Sequence, residues 1–242
     1  MSTVSDLSLV IDEKNQTFID KNKAELADLS KYSTEALEWL MMEHYQFSFQ
    51  NVEFLADSAQ VSGGFDTNTV KEELIRNHGE ENGHAAIYKD ALKRVNCDIE
   101  ERVEFPATSQ FLEKIGQLSN TTPSTVLGTM FATETAAIFE HEVFLDVSKE
   151  VIKRGEWGQK GDRLVGFHEM HLSGVEQSHR DELGIFLKGV PVDQEIITKE
   201  GDRPTIHVTQ ALEGAEQAIE AMVTWWDTMI NKAKTMSQAA TA

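Results

Sequence analysis

Apolar residues recur three and four apart through most of this chain, and stretches that alternate apolar with polar residue by residue are scarce. A period near 3.6 marks a helix with one buried face, whereas a half-buried strand alternates with period two. The pattern predicts long helices over 33–60, 67–95, 123–154, 161–189 and 206–235, with shorter ones near 10–30 and 108–119. Pro106, Pro123, Pro191 and Pro204 fall at or beyond the ends of these segments, where the missing amide hydrogen costs least. Gly63-Gly64, the acidic run from Asp98 to Glu104 and the polar stretch from Pro191 to Pro204 read as connections. The expected fold class is therefore all-α, one helical domain over 1–242. Within it, 1–30 is read as an N-terminal extension with a short helix and 236–242 as a flexible tail.

The apolar stripe of each helix defines an inward direction, and polar residues that share it are the informative ones. In 67–95 the stripe is Val70, Leu74, Asn77, Glu81, Tyr88, Leu92 and Val95, with His78 and His84 beside it and Glu80 turned toward solvent. In 123–154 it is Leu127, Glu134, Ile138, His141, Leu145 and Ile152, which leaves Glu140 facing away. In 161–189 it is His168, Leu172, Val175, His179, Leu183 and Phe186, with His171 and Glu176 on its shoulders. In 33–60 His44 aligns with Leu40, Phe47 and Phe54, and Glu43 lies to one side. A carboxylate on an apolar face is costly unless paired, protonated or metal-bound. The plain alternatives are a hydrogen-bonded structural acid at Glu81 and satisfied core histidines at His44 and His141. His44, Tyr88, His141 and His168 are candidate pocket residues.

Composition narrows the chemistry. The net charge of −19, from 41 acidic and 22 basic residues, opposes binding to nucleic acid or anionic membrane. There is no apolar run of membrane-spanning length, and MSTVSDLSLVIDEK lacks the segments of a signal peptide, so a cytoplasmic location is expected. Cys97 is the single cysteine, which leaves histidines and carboxylates as the metal ligands available. Glu81-x-x-His84 and Glu176-x-x-His179 repeat one spacing on two helices, and Glu134 adds a carboxylate from a third. Two Glu-x-x-His pairs with further carboxylates are the arrangement of di-iron and di-manganese helical bundles. Mixed oxygen and nitrogen donors suit iron or manganese, with zinc chemically acceptable. His168 and His179 stand about 16 Å apart along a helix axis, too far to grip one ion, whereas Glu176 and His179 are about 4.5 Å apart.

Three segments carry a resemblance. VLGTMFATETAA is similar to a ligand-bearing helix of heme-oxygenase-like di-iron oxidases, FHEMHLSGVEQSHRDEL resembles their late metal-binding helix, and AIEAMVTWWDTMI resembles the aromatic closing helix. That superfamily also contains thiaminase II and pyrroloquinoline-quinone synthase, and the likeness runs over roughly residues 35–235. The resemblance implies a heme-oxygenase-like bundle of about seven helices, with Glu81, His84, Glu134, His171, Glu176 and His179 as ligands to two iron ions. It further implies dioxygen as co-substrate, a small-molecule amine, amino acid or carboxylic acid as substrate, and a homodimer. Heme is not expected, because inward glutamates do not suit a porphyrin. One departure stands out: the family separates the late histidine and acid by three residues, whereas four separate His171 from Glu176 and Leu172 occupies the expected histidine position. A one-residue π bulge restores the geometry; without it the second metal position is weak or absent. The alternatives are a metal-free pocket enzyme like thiaminase II or the quinone synthase, a ferritin-like metal-binding protein with Glu43 as extra carboxylate, and a non-catalytic interaction protein.

Overall fold

A computed structural model describes residues 6–240, so the outermost parts of the expected N-terminal extension and tail lie outside the described residues. The helices are α1 (Leu7–Leu26), α2 (Thr34–Ser62), α3 (Thr69–Glu81), α4 (His84–Arg94), α5 (Pro106–Ser119), α6 (Pro123–Arg154), α7 (Asp162–Met170), α8 (Glu176–Leu187) and α9 (Val208–Ala240). Taking α3 with α4, and α7 with α8, as broken pairs gives seven helical elements among the described residues. The expected all-α class is what the structure has, save for a short antiparallel pairing of β1 (Ile196–Ile197) with β2 (Ile206–His207) in the predicted connection before α9.

Four features differ from the pattern. The segment read as one helix over 67–95 breaks after Glu81, where Asn82 is extended and Gly83 takes a φ of +101°. The segment read as 161–189 holds a π turn over His171–Val175, with Gly174 at φ +114°. The N-terminal segment is no appendage: α1 spans 20 residues and buries Leu7, Ile11 and Phe18 against α6 and α9. The expected tail likewise continues as helix to Ala240.

At the centre runs α6, which contacts α1, α2, α5, α7, α8 and α9. It has a defined start, since the Thr122 hydroxyl caps the first turn and Pro123 sits where an amide hydrogen would have no partner. Every residue from Val126 to Glu134 is buried, so this helix has almost no solvent face over that stretch. The closest approach is to α9, where a Cβ on Gly128 would meet the Ala211 carbonyl oxygen at 1.8 Å. In the adjoining core Trp225 stacks on Phe111 with centroids 4.3 Å apart, and its Nε1 donates to the Thr108 hydroxyl at 2.9 Å. Among the described residues no helix is long and apolar enough to cross a membrane.

Candidate metal centre

Six of the eight histidines gather where α2, α3, α4, α6, α7 and α8 meet. The break after Glu81 ends α3 on a carboxylate and starts α4 on a histidine, and the two turn toward each other with Glu81 Oε2 2.9 Å from His84 Nδ1. The π turn places His171 opposite them: its Nε2 lies 3.2 Å from His84 Nδ1 and 3.8 Å from Glu81 Oε2. His171 Nδ1 is 2.8 Å from the Phe167 carbonyl, which can only accept, so Nδ1 carries the proton and Nε2 offers a lone pair. From α6, His141 stacks on His171 at 4.0 Å and points Nε2 to within 3.5 Å of Glu176 Oε1. His179 Nδ1 faces three carboxylates, Glu134 Oε2 at 3.6 Å and Glu81 Oε1 and Glu176 Oε2 at 3.9 Å each.

The electrostatics are those of a site built for a cation. Burial opposes charge on Glu81, yet the neighbouring His171 and His84 bring its pKa down to about 2. Burial pushes Glu176 well above the ordinary carboxylate range, with the nearby charges of Glu134 and Glu81 adding to the effect. Burial also opposes a proton on His179, but the neighbouring carboxylate of Glu134, with Glu80 and Glu176 behind, raises it to about 10. Two buried polar atoms, Glu81 Oε1 and His179 Nδ1, have no hydrogen-bond partner and both point into the cluster. Buried polar atoms left without partners are costly unless something satisfies them. Three overlapping sets hold potential donor atoms within 4.8 Å of one another: Glu81, His84 and His171; His141, His171 and Glu176; Glu81, Glu176 and His179. The residues present fit a metal.

Solved structures place this architecture. A CADD-like protein of unknown function from Nostoc punctiforme matches with a TM-score of 0.69 at 20% identity, covering 93% of this chain and 99% of that one. A domain of unknown function with a heme oxygenase-like fold from Shewanella denitrificans matches with a TM-score of 0.66 at 16% identity, over 95% of this chain and 94% of that one. The fold is heme-oxygenase-like. A TenA homolog from Pseudomonas syringae pv. tomato also matches, with a TM-score of 0.60 at 12% identity over 90% and 92% of the two chains. No family model and no curated protein matches the sequence.

Within this heme-oxygenase-like bundle, Glu81, His84, Glu134, His171, Glu176 and His179 come together, and His141, read from sequence as a pocket residue, joins them. His44 lines the central cavity with Glu81, His141 and Glu176, whereas Tyr88 and His168 sit one layer behind it. His168 Nδ1 lies 3.1 Å from His141 Nδ1, and the Tyr88 hydroxyl lies 3.2 Å from His44 Nδ1. Two carboxylates read as off the inward stripe, Glu140 and Glu43, are buried, and Glu80, exposed as expected, still reaches inward to a buried ring. Glu140 accepts from Trp226 Nε1 at 2.9 Å, because α9 covers the side of α6 that its stripe leaves free. Glu80 reaches His179 Nε2 at 2.9 Å. Glu43 is fully buried and taken by Arg102 at 2.8 and 2.6 Å and by Thr108 at 2.6 Å, so it is committed away from the centre. The central cavity is small, about 20 Å³. Larger clefts of about 710 and 500 Å³ lie on the surface, beside α1 and α6 and between α5 and α9, and none of the clustered histidines lines them. The chemistry, not the size, locates the site.

Proposed function

We propose that this protein is a non-heme dimetal oxidase or oxygenase that uses dioxygen on a small amine, amino acid or carboxylic acid. One observation carries the reading: the two oxygens of a single carboxylate serve different histidines, and this happens twice. Glu81 turns Oε2 to His84 at 2.9 Å and Oε1 to His179 at 3.9 Å, while Glu176 turns Oε1 to His141 at 3.5 Å and Oε2 to His179 at 3.9 Å. Carboxylates shared in this way are what hold two cations side by side in helical bundles.

In this reading Glu81, His84, Glu134, His141, His171, Glu176 and His179 would hold the metal ions. Iron fits the mixed donors best and manganese also fits them. When bound in the reduced state, such a pair supplies electrons to dioxygen for attack on a small substrate. The chain supplies the rest. Phe47 and Phe167 wall the cavity and keep water scarce, and Ser48 and Asn51, both half-buried, offer hydrogen bonds on its α2 side. Tyr88 is stacked on Phe167 at 4.4 Å and contacts His44 from behind, its hydroxyl 3.2 Å from His44 Nδ1. A metal-free pocket enzyme is less well supported, since Glu81 Oε1 and His179 Nδ1 are left without partners in a cluster rich in metal-ligating side chains, and Cys97 is buried.

Anaerobic titration with ferrous iron tests the proposal. The wild type is expected to bind about two irons per chain, and Glu134→Ala or His179→Ala to lose at least one. Admission of oxygen to the loaded protein is then expected to produce a transient visible absorption band. Absence of specific iron binding in the wild type overturns the reading.

A further inference from the structure

We infer that Glu80 is a positioning residue for the metal centre, the outer carboxylate that aims His179; the inference rests on the dimetal reading above. His179 is fully buried, and its two ring nitrogens have different surroundings. Nε2 lies 2.9 Å from Glu80 Oε2, an acceptor, while Nδ1 has no hydrogen-bond partner and faces Glu134, Glu81 and Glu176. A neutral imidazole that donates from Nε2 to a carboxylate, the form His179 would take on releasing its Nδ1 proton to a metal, presents a lone pair at Nδ1 in a fixed plane and with raised basicity. Glu80 and Glu81 are consecutive on the last turn of α3, and a helix turns about 100° between neighbours. They therefore take His179 from two sides, Glu80 at Nε2 and Glu81 at Nδ1.

Glu80 is itself anchored. Its Oε1 accepts from Arg76 Nη1 at 2.7 Å, one turn earlier on the same helix, and Arg76 Nε donates to Glu73 Oε2 at 3.1 Å. A carboxylate left free at the surface would rotate away from the ring; this one is held by a cation on its own helix. The arrangement parallels the Phe167 carbonyl behind His171. The difference is that His179 stands at the acid-rich end of the cluster, and its outer partner is a carboxylate whose side chain is 42% exposed. Substitution there leaves the core packing untouched.

The test is titration with manganous ion, followed by the electron paramagnetic resonance signal of the free ion, on wild type, Glu80→Ala, Glu80→Gln and Arg76→Ala. Glu80→Ala is expected to weaken one of two bound ions by about 10–100-fold, the range for loss of an outer-shell partner, without changing the metal-free melting temperature. Glu80→Gln keeps an acceptor oxygen and is expected to recover most of the affinity. Arg76→Ala, which cuts the surface ion pair and leaves Glu80 in place, is expected to cost less than Glu80→Ala. If Glu80→Ala binds both ions as the wild type does, the inference fails while the dimetal reading stands. Equal losses in Glu80→Ala and Arg76→Ala, accompanied by lowered melting temperatures, also overturn it, because they show a merely structural role. A wild type that binds neither manganous nor, anaerobically, ferrous ion overturns the dimetal reading and the inference with it.

Discussion

Buried carboxylates and histidines in this protein include some with a complete set of partners and some whose partners leave a position open. Glu43 is of the first kind, since Arg102 and Thr108 saturate it and Arg102 reaches the surface no more than slightly. Glu81 and His179 are of the second, each with one atom unsatisfied toward the same point. Cys97 belongs to neither, being a small apolar group that burial, aided by the charge of Glu38, pushes up to a pKa of about 12. Only the thiolate reacts with disulfide reagents, so Cys97 is expected to resist labelling at pH 8 in the folded protein and to react at once in denaturant. Rapid labelling of the native protein would show that the thiol is accessible and that the case against a cysteine nucleophile is wrong.

Two helix interruptions do more for the site than the regular helices do. The break at Asn82-Gly83 lets Glu81 and His84 converge, and the π turn takes up the additional residue between His171 and Glu176. At Gly174 the chain needs a φ of +114°, which a side chain disfavours. By contrast, the position of α6 against α9 is set by contact alone. A methyl at Gly128 would strike the Ala211 backbone, which cannot move aside as a flexible side chain can. Gly128→Ala is therefore expected to lower stability by about 1–3 kcal/mol, measurable as a lower denaturant midpoint at unchanged slope. An unchanged midpoint would mean that the two helices can separate without cost.

For the whole molecule, the concentration of histidines in the core makes stability depend on acidity. Burial first, and then neighbouring histidines, hold His141 and His168 well below the ordinary histidine pKa of 6.5. Both are neutral in the fold, whereas the unfolded chain takes up their protons as pH falls below that value. Their contribution is thus present above pH 6.5 and lost below it. Glu176, whose pKa is raised, acts in the opposite direction at low pH, so the comparison of variants isolates the histidine effect. The metal-free protein is expected to lose melting temperature from pH 7 toward pH 5, and His168→Gln to lose less over the same interval. Parallel curves for the two proteins would show that His168 does not carry this dependence.

The sequence by itself determined the helices and the inward direction of Glu81, Glu134 and His179, because a 3.6-residue period reports which side of a helix is buried whatever lies there. It also exposed the irregular spacing between His171 and Glu176 and the bulge that would absorb it. Tertiary structure decided the rest. A stripe scores each helix against a single inward direction, but α6 is covered on several sides, so Glu140 is buried although it leaves the stripe. His141 moved from pocket wall to cluster member because α7 and the π turn bring His171 and Glu176 against it, a contact between residues 30 and 35 positions away that no local pattern encodes. The same holds for Glu80 and His179, which are 99 residues apart: a half-exposed acid gains its role only from the histidine that another helix delivers to it.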